Sequence, residues 1–345
     1  MSRIVFLCLF LVLTVSSGFA DGQANVFVYH RFGDSRFPST NIPLNVFADQ
    51  LELLKQKNYT VLALGDIVTR LREGRALPSR CAAITVDDAY RTFLTGAMPL
   101  LRRYGYPATL FVSTGSVGGE NYLSWDDLRA LVEQGVEIGN HSASHPYLLT
   151  RQRGETAGAW LDRIRLDIQQ ASQTIQHELG RTPLLFAYPY GEYSPEIVEL
   201  VRESGFSGAA AQFSGVVSAA ADPFVLPRFP MGGNYATLAE FSEKLAMHPL
   251  DVQIIDDKGP VVGKDNPPEL VVDILNRDVD LAQLRCFVQG QQGCFMVADP
   301  SVPGRFRVRA QQPLDGRRSR YTLTAPGSKG QGWFWFSRLW IFPDR

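Results

Sequence analysis

Two adjacent carboxylates and a pair of histidines stand where the sequence predicts that buried strands end. Asp87 and Asp88 follow the apolar run Cys81–Val86, and His141 and His145 come directly after a second apolar run. One carboxylate and two imidazoles make a three-ligand site for a divalent cation, with positions left for water and substrate. The other carboxylate is then free to act as a general base. The adjacent pair alone does not decide which aspartate takes which role.

Simpler explanations exist for both features. Adjacent aspartates often cap a helix, and a helical pattern follows Asp88. A His-x-x-x-His pair also occurs on surfaces that bind nothing, and two histidines with one carboxylate are the ligand set of non-haem iron oxygenases as well. The position of both features at strand ends of one predicted sheet favours a metal site with a neighbouring base.

The elements that must position these residues alternate as strand and helix from Asn25 to Arg228, which indicates a parallel sheet. Carboxyl ends of strands converge on one rim in a (β/α) barrel, whereas an open sheet spreads them along an edge. Six polar residues fall at predicted strand ends, namely His30, Asp87, Asp88, His141, Tyr190 and Arg228. We therefore predict a (β/α) barrel over residues 21–248.

The pattern changes from about residue 249, where short apolar runs alternate with Gly, Pro and Asp turns. This pattern predicts a small, separate all-β sandwich over residues 249–345. Its aromatic run 333–336 would suit a sugar-stacking face, although such a run more often forms a core and a domain interface.

Cys286 and Cys294 flank a glycine-containing turn and would pair across a hairpin in an oxidising compartment. Cys81 starts an apolar strand and is predicted to be a buried structural thiol.

The chain begins with features of an export signal. A basic start, a short apolar core and the small residues Gly18 and Ala20 predict a signal peptide over residues 1–20. The apolar core is too short to span a bilayer and no later segment is apolar enough, so we expect an exported protein, periplasmic or secreted, without a transmembrane segment. Lys+Arg 34 against Asp+Glu 35 gives no reason to expect nucleic acid as a partner. Nothing in the sequence indicates the oligomeric state.

Three motifs carry a family resemblance. Thr85-Val-Asp-Asp88, His141-Ser-Ala-Ser-His145 and Tyr188-Pro-Tyr-Gly191 resemble the first three motifs of the polysaccharide deacetylases with a NodB-homology domain, carbohydrate esterase family four. The resemblance covers roughly residues 25–231. It implies a distorted (β/α) barrel and a divalent metal, usually zinc and sometimes cobalt or nickel. It also implies removal of N-acetyl, occasionally O-acetyl, groups from glycans such as chitin oligomers, peptidoglycan or poly-N-acetylglucosamine.

The resemblance also implies roles for individual residues. Asp87 corresponds to the general base, and Asp88, His141 and His145 correspond to the metal ligands. The backbone N–H of Tyr190 would help to stabilise the oxyanion, as donors placed in advance for developing charge do. In this family, water activated by the metal attacks the acetyl carbonyl.

The sequence departs from the family pattern in two ways. The usual arginine of the third motif, which fixes the base, is replaced by Ala187. We expect Arg228 to substitute for it, and we group Arg228 with Tyr190 on the substrate and oxyanion side of the site. The late motif that supplies the general acid is also absent. Val28-Tyr-His-Arg31 resembles the branch with a permuted barrel, so His30 is the expected acid. A buried structural role for His30 is the alternative, and His248 is a weaker candidate.

These observations predict a metal-dependent hydrolase that acts on the amide bonds of an N-acetylated polysaccharide outside the cytoplasm, and not on peptide bonds. The competing hypothesis is a catalytically inactive glycan-binding module, which the missing arginine of the third motif suggests.

Overall fold

The computed structural model describes residues 22–345, so the predicted signal peptide, residues 1–20, lies outside the described residues. Among the helices of this described part, none is both long and apolar enough to cross a membrane.

Parallel strands and helices alternate through the first part of the described chain. The strands are β1 (Gln23–Tyr29), β2 (Arg31–Phe32), β3 (Asn41–Ile42), β4 (Thr60–Val61), β5 (Cys81–Val86), β6 (Thr109–Val112), β7 (Glu137–Asn140), β8 (Leu185–Ala187), β9 (Gly208–Ala210), β10 (Val217–Ser218) and β11 (Phe229–Pro230). The helices are α1 (Leu44–Gln56), α2 (Leu64–Arg72), α3 (Met98–Tyr104), α4 (Trp125–Glu133), α5 (Ala157–Leu179), α6 (Pro195–Glu203) and α7 (Leu238–Leu245). Each of the longer helices buries one apolar stripe, as Phe47, Leu51 and Leu54 do in α1.

The main sheet curls into a distorted barrel. Strands β1, β5, β6, β7, β8 and β9 pair in that order and all run parallel. Residues 226–230 join the two edges, because Leu226 exchanges backbone hydrogen bonds with Ala209 and Ala211 beside β9, while β11 pairs with β1. The predicted barrel is confirmed, and the apolar run 224–226 contributes a single bridge, between Leu226 and Ala210.

The parallel strands bring their carboxyl ends to one rim. All six residues of β5 are buried, and its register places Val86 beside Tyr29 of β1. The backbone N–H of Asp87 donates to the carbonyl oxygen of Tyr29 (2.9 Å). His30 and Asp87, the residues that follow the two strands, therefore leave the sheet side by side.

Two four-stranded sheets form the second part. Their strands are β12 (Met247–Pro249), β13 (Val252–Ile254), β14 (Glu269–Ile274), β15 (Arg285–Val288), β16 (Cys294–Ala298), β17 (Arg305–Ala310), β18 (Arg318–Pro326) and β19 (Trp333–Ile341). One sheet has the order β12-β19-β18-β15 and the other β13-β14-β17-β16. Val272, Val308, Tyr321 and Leu323 are fully buried in the core between them. The predicted sandwich is confirmed.

Two elements near residue 248 were not predicted. Helix α7 begins after Thr237, whose hydroxyl accepts a hydrogen bond from the N–H of Glu240 (3.1 Å), so the sequence did contain a capping signal here. Strand β12 pairs in parallel with β19, the last strand of the sandwich. Residues 247–249 therefore hydrogen-bond to the sandwich directly after the last helix of the barrel.

Cys286 and Cys294 form a disulfide, but it does not cross a hairpin. Strand β15, which carries Cys286, pairs with β18, whereas β16, which carries Cys294, pairs with β17. The bridge therefore joins the two sheets of the sandwich. Cys81 is a buried free thiol, as expected, and burial raises its pKa to about 12.

Candidate active site

A cavity of about 810 Å³ opens at the carboxyl rim of the barrel. Its wall includes six of the residues that the sequence singled out, namely His30, Asp87, Asp88, His141, His145 and Tyr190. The structure therefore brings these residues into one cleft. Arg228 lies behind the wall, in contact with Asp87.

Asp88, His141 and His145 bring three potential ligand atoms together. Oδ1 of Asp88 lies 3.5 Å from Nε2 of His141 and 3.3 Å from Nε2 of His145, and the two Nε2 atoms are 3.2 Å apart. A tetrahedral ion with bonds of about 2.0–2.1 Å would place its ligands about 3.3–3.4 Å apart. The donor set and its spacing therefore fit a zinc-type ion.

The two histidines reach this position from a loop. Nδ1 of His141 lies 2.8 Å from the carbonyl oxygen of Ala187. Because a carbonyl only accepts hydrogen bonds, Nδ1 carries the proton and Nε2 is left with a lone pair for a metal. The N–H of His145 donates to Oγ of Ser142 (3.0 Å). Of the two routes open to a His-x-x-x-His pair, helix or loop, this chain uses the loop.

The loop is held from outside by residues that the sequence analysis missed. Asp167 of α5 accepts hydrogen bonds from the N–H groups of Ala143 (3.0 Å) and Ser144 (3.1 Å). Oδ1 of Asn140 accepts from the N–H of Ser142 (2.6 Å). Asn140 stands at the end of a strand, immediately before the first histidine, which is a usable signal. Asp167 lies within an ordinary amphipathic helix pattern, and nothing in its neighbours marks it.

Asp87 forms a buried, bidentate ion pair with Arg228. Nη1 of Arg228 lies 2.7 Å from Oδ1 of Asp87, and Nη2 lies 2.8 Å from Oδ2. Nε of the same guanidinium donates to the carbonyl oxygen of Ala211 (2.8 Å), and Nη1 donates to Oγ1 of Thr85 (3.2 Å). Arg228 is fully buried, so its expected place on the substrate side is corrected: it positions Asp87 and presents no surface to a substrate.

The electrostatics keep the carboxylates charged and the imidazole of His145 neutral. Burial acts to lower the pKa of His141, but the carboxylates of Asp88 and Asp87 outweigh it and raise that pKa. Burial acts to raise the pKa of Asp87, but the charge and hydrogen bonds of Arg228 and the nearby histidines together outweigh it, and the pKa lies below its usual value. Burial and a hydrogen bond from a histidine oppose each other in the same way at Asp88, whose pKa is also lowered. Burial lowers the pKa of His145 to about 4 and lowers that of His30 despite the nearby carboxylates. Anionic carboxylates beside a neutral imidazole are the protonation states that metal binding requires.

The backbone around the cleft is strained. A non-glycine residue with positive φ costs about 1–3 kcal/mol, and such residues cluster at functional sites. Seven non-glycine residues of the described chain have positive φ, and five of them lie in or beside the cleft: Asp88, Ala89, Ser142, His145 and Tyr190. Gly191 follows with φ 72°, and a Cβ there would lie 2.4 Å from Cβ of Gln212, so no larger residue fits.

The sandwich contacts the turn that carries Tyr190. Arg318 donates to the carbonyl oxygen of Tyr190. Arg317 forms a bidentate ion pair with the buried Glu192 (2.7 and 2.8 Å), and its guanidinium lies 4.1 Å from the ring of Tyr147. That ring stacks on Tyr190 with 4.0 Å between centroids. The turn is therefore fixed from both domains.

The structure separates the two candidates for the general acid. His30 lies on the wall of the cleft with Asp87 and Asp88. His248 lies in β12, where a ring nitrogen is 2.8 Å from Oε1 of Gln23 and the ring packs against Phe334 (5.2 Å). Position therefore favours His30.

The metal site can be tested with single substitutions of ligands. We expect Asp88→Ala and His145→Ala to weaken zinc binding by more than the roughly 10–100-fold that loss of a residue supporting a ligand costs. Metal content after dialysis, measured by mass spectrometry, checks this. His177→Ala removes an exposed histidine of α5 and should keep the metal. Retention of zinc by both ligand variants, or iron as the bound metal, would contradict the assignment.

The buried ion pair predicts a large effect on stability. Arg228→Met leaves the carboxylate of Asp87 buried without a partner, so we expect a loss of about 3–5 kcal/mol in the free energy of unfolding. Arg129→Met breaks exposed pairs in the same domain and should cost about 0–1 kcal/mol. Denaturant titrations followed by circular dichroism compare the two. The double variant Asp87→Asn/Arg228→Met should recover part of the loss, and equal losses for the two single variants would contradict the prediction.

Residues 74–209 match the family model described as polysaccharide deacetylase. Similar proteins include the poly-beta-1,6-N-acetyl-D-glucosamine N-deacetylase of Escherichia coli (strain K12), 23% identical over 248 residues. This alignment covers 61% of the chain but 36% of the E. coli protein. The enzyme of the same name from Staphylococcus aureus (strain MRSA252) is 23% identical over 59% of the chain and 72% of its own length.

Solved structures show the same fold. The Streptococcus pyogenes deacetylase PplD in complex with acetate superposes with a TM-score of 0.58 at 19% identity, over 65% of this chain and 98% of its own. IcaB from Ammonifex degensii superposes with a TM-score of 0.57 at 24% identity, over 66% and 97%. The motifs, the barrel and the matched segment agree, so the α/β domain resembles the polysaccharide deacetylases, the family whose model residues 74–209 match.

Proposed function

We propose that this protein is a metal-dependent deacetylase that removes N-acetyl groups from a polysaccharide outside the cytoplasm. The observation that carries the proposal is that Asp87, held by the guanidinium of Arg228, lies in one cleft with the ligand triangle of Asp88, His141 and His145. The similar enzymes from E. coli and S. aureus make poly-β-1,6-N-acetylglucosamine the first substrate to test. The cleft, at about 810 Å³, is large enough for a sugar unit and its acetyl group.

A divalent ion held by the triangle would supply a Lewis acid that polarises the acetyl carbonyl and makes water more acidic. Zinc suits the two imidazoles, the carboxylate and their spacing, and cobalt or nickel would use the same ligands. Asp87, with its lowered pKa, is ionised at neutral pH and accepts the proton of the attacking water. Arg228 holds both of its oxygens, so the carboxylate cannot rotate away from the cleft.

Two further residues complete the proposed reaction. The backbone N–H of Tyr190, in a turn with φ 57°, stabilises the negative charge that develops on the acetyl oxygen. His30, at the end of the neighbouring strand β1, gives a proton to the departing amine as the amide bond breaks. The products are acetate and a free amine on the sugar.

The contact between Arg228 and Asp87 weakens the competing hypothesis of an inactive glycan-binding module. It rested on the arginine missing at Ala187, and the guanidinium of Arg228 contacts the base instead. The disulfide between Cys286 and Cys294 suits an oxidising compartment, which supports an exported protein. We propose the division into a catalytic barrel, residues 21–248, and an accessory sandwich, residues 249–345, with β12 (Met247–Pro249) crossing the boundary as a strand of the sandwich sheet.

The base assignment predicts the behaviour of Asp87→Asn. Because an amide cannot accept the proton, we expect acetate release from N-acetylglucosamine oligomers to fall by about 10²–10⁴-fold. Zinc content should be unchanged, since Asp87 is not in the ligand triangle. The measurement is an enzyme-coupled acetate assay on β-1,6- and β-1,4-linked oligomers, with circular dichroism to check folding. Asp126→Asn, at an exposed position of α4, is the matched control and should keep full activity. Undiminished turnover by Asp87→Asn would contradict the assignment of Asp87 as the general base.

The acid assignment makes a separate prediction for His30→Gln. An amine is a poor leaving group and needs a proton, whereas nitrophenolate leaves without one. We therefore expect the variant to lose about 10²–10⁴-fold on the acetylated oligomer and far less on nitrophenyl acetate. His248→Gln, outside the cleft, should match the unaltered protein on both substrates. Equal losses on both substrates would instead indicate a structural role for His30.

A further inference from the structure

A second cavity lies between the barrel and the sandwich. It has a volume of about 650 Å³, and we call it the interdomain groove. It shares three lining residues, Pro230, Met231 and Tyr235, with the catalytic cleft. The groove and the cleft are therefore neighbours along segment 230–235, where Tyr235 is 44% exposed.

Aromatic side chains from the sandwich line the groove. Strand β19 alternates, so that Trp333 and Trp335 face the groove while Phe334 is buried in the core of the sandwich. Trp333 remains 38% exposed, and Phe287 of β15 is 51% exposed on the same wall. The side chains of the aromatic run 333–336 therefore lie on two faces of the strand. One face forms the core of the sandwich, and the other lines the groove.

Trp335 is fixed in place at the base of the groove. Its Nε1 donates to the carbonyl oxygen of Ser214 (3.1 Å) and to Oγ of Ser337 (2.9 Å). Its ring contacts Phe229 of the barrel edge-on, with 5.8 Å between centroids. The indole N–H is thus bonded within the protein, and Nζ of Lys244 lies 4.7 Å from the ring centroid, so a ligand meets the apolar surface that Lys244 leaves uncovered.

The charged residues of the groove are mixed in sign. Lys244 of α7 lies 2.8 Å from Glu243 and 3.4 Å from Glu240, so these charges largely neutralise one another. Arg285 and Arg320 also line the groove and carry hydrogen-bond donors. Exposed aromatic faces beside guanidinium donors match a neutral glycan, since a sugar has an apolar C–H face and hydroxyl and acetyl oxygens that accept hydrogen bonds.

We propose that the interdomain groove binds the sugar units of the polysaccharide that lie beyond the unit held in the cleft. The sandwich would thereby make the protein select long chains over short ones. This inference rests on the proposed function, because it takes the occupant of the groove to be the chain whose acetyl group lies in the cleft.

The test compares binding of oligomers of different length. We would titrate β-1,6-linked N-acetylglucosamine oligomers, from the dimer upward, into the zinc-loaded full chain carrying Asp87→Asn, so that acetyl groups are not removed during the calorimetry. Affinity should rise with length. Adding Trp333→Ala and Phe287→Ala should weaken the longest oligomer by about tenfold through lost apolar contact and weaken the dimer less. The matched control is Phe295→Ala, which removes a 62% exposed phenylalanine from the other sheet and should preserve the length dependence.

The outcomes separate the two proposals. Two results would overturn the proposal that the groove binds sugar units. The parent protein would bind the dimer and the long oligomer equally, or the groove variants would bind the long oligomer as tightly as the parent. Loss of the length dependence in the groove variants, with the control unaffected, would support it. Acetate release from oligomers by the unaltered protein is measured separately. Its absence, together with length-dependent binding, would overturn the deacetylase while leaving a glycan-binding groove.

Discussion

The buried ion pair between Asp87 and Arg228 is the interaction on which the cleft depends. A carboxylate only 2% exposed is removed from water, at a cost of several kcal/mol unless a partner compensates it. The guanidinium compensates it with two hydrogen bonds and uses its other donors on Ala211 and Thr85. Arg228 itself lies in the irregular segment 226–230 that joins the edges of the sheet. The ion pair between Asp87 and Arg228 therefore orients the proposed base and also holds the segment that closes the barrel.

Arg228 contacts Asp87 from a position outside the third motif, where the family resemblance places the arginine. Ala187 stands where the family has its arginine, and its carbonyl oxygen is bonded by Nδ1 of His141. Arg228 comes from a different part of the chain. Because the strand ends converge on one rim, the guanidinium of Arg228 reaches Asp87 from this different segment. In the proposed reaction, the base needs a fixed cation beside it, and in this chain Arg228 supplies it.

The sequence predicted what local patterns determine. Helices α5 and α6 and the buried strand β5 follow from apolar spacing and from caps such as Thr156 and Ser194, whose side chains accept bonds from the first turn. The route of the two histidines and the support of their loop by Asp167 were not predictable in this way. They depend on contacts across the fold and on positive φ at His145, a conformation with no local sequence signal.

The sandwich is coupled to the barrel by packing as well as by ion pairs. Leu339 and Ile341 of β19 lie in the same buried cluster as Trp160 and Ile164 of α5, while Trp340 between them packs in the core of the sandwich. A strand with both faces buried cannot shift without opening two cores. The same strand presents its indoles to the groove, so the position of the groove relative to the cleft is set by this packing. A tethered domain on a flexible linker would leave that distance variable, and a chain spanning both cavities would then have to order the linker as it bound.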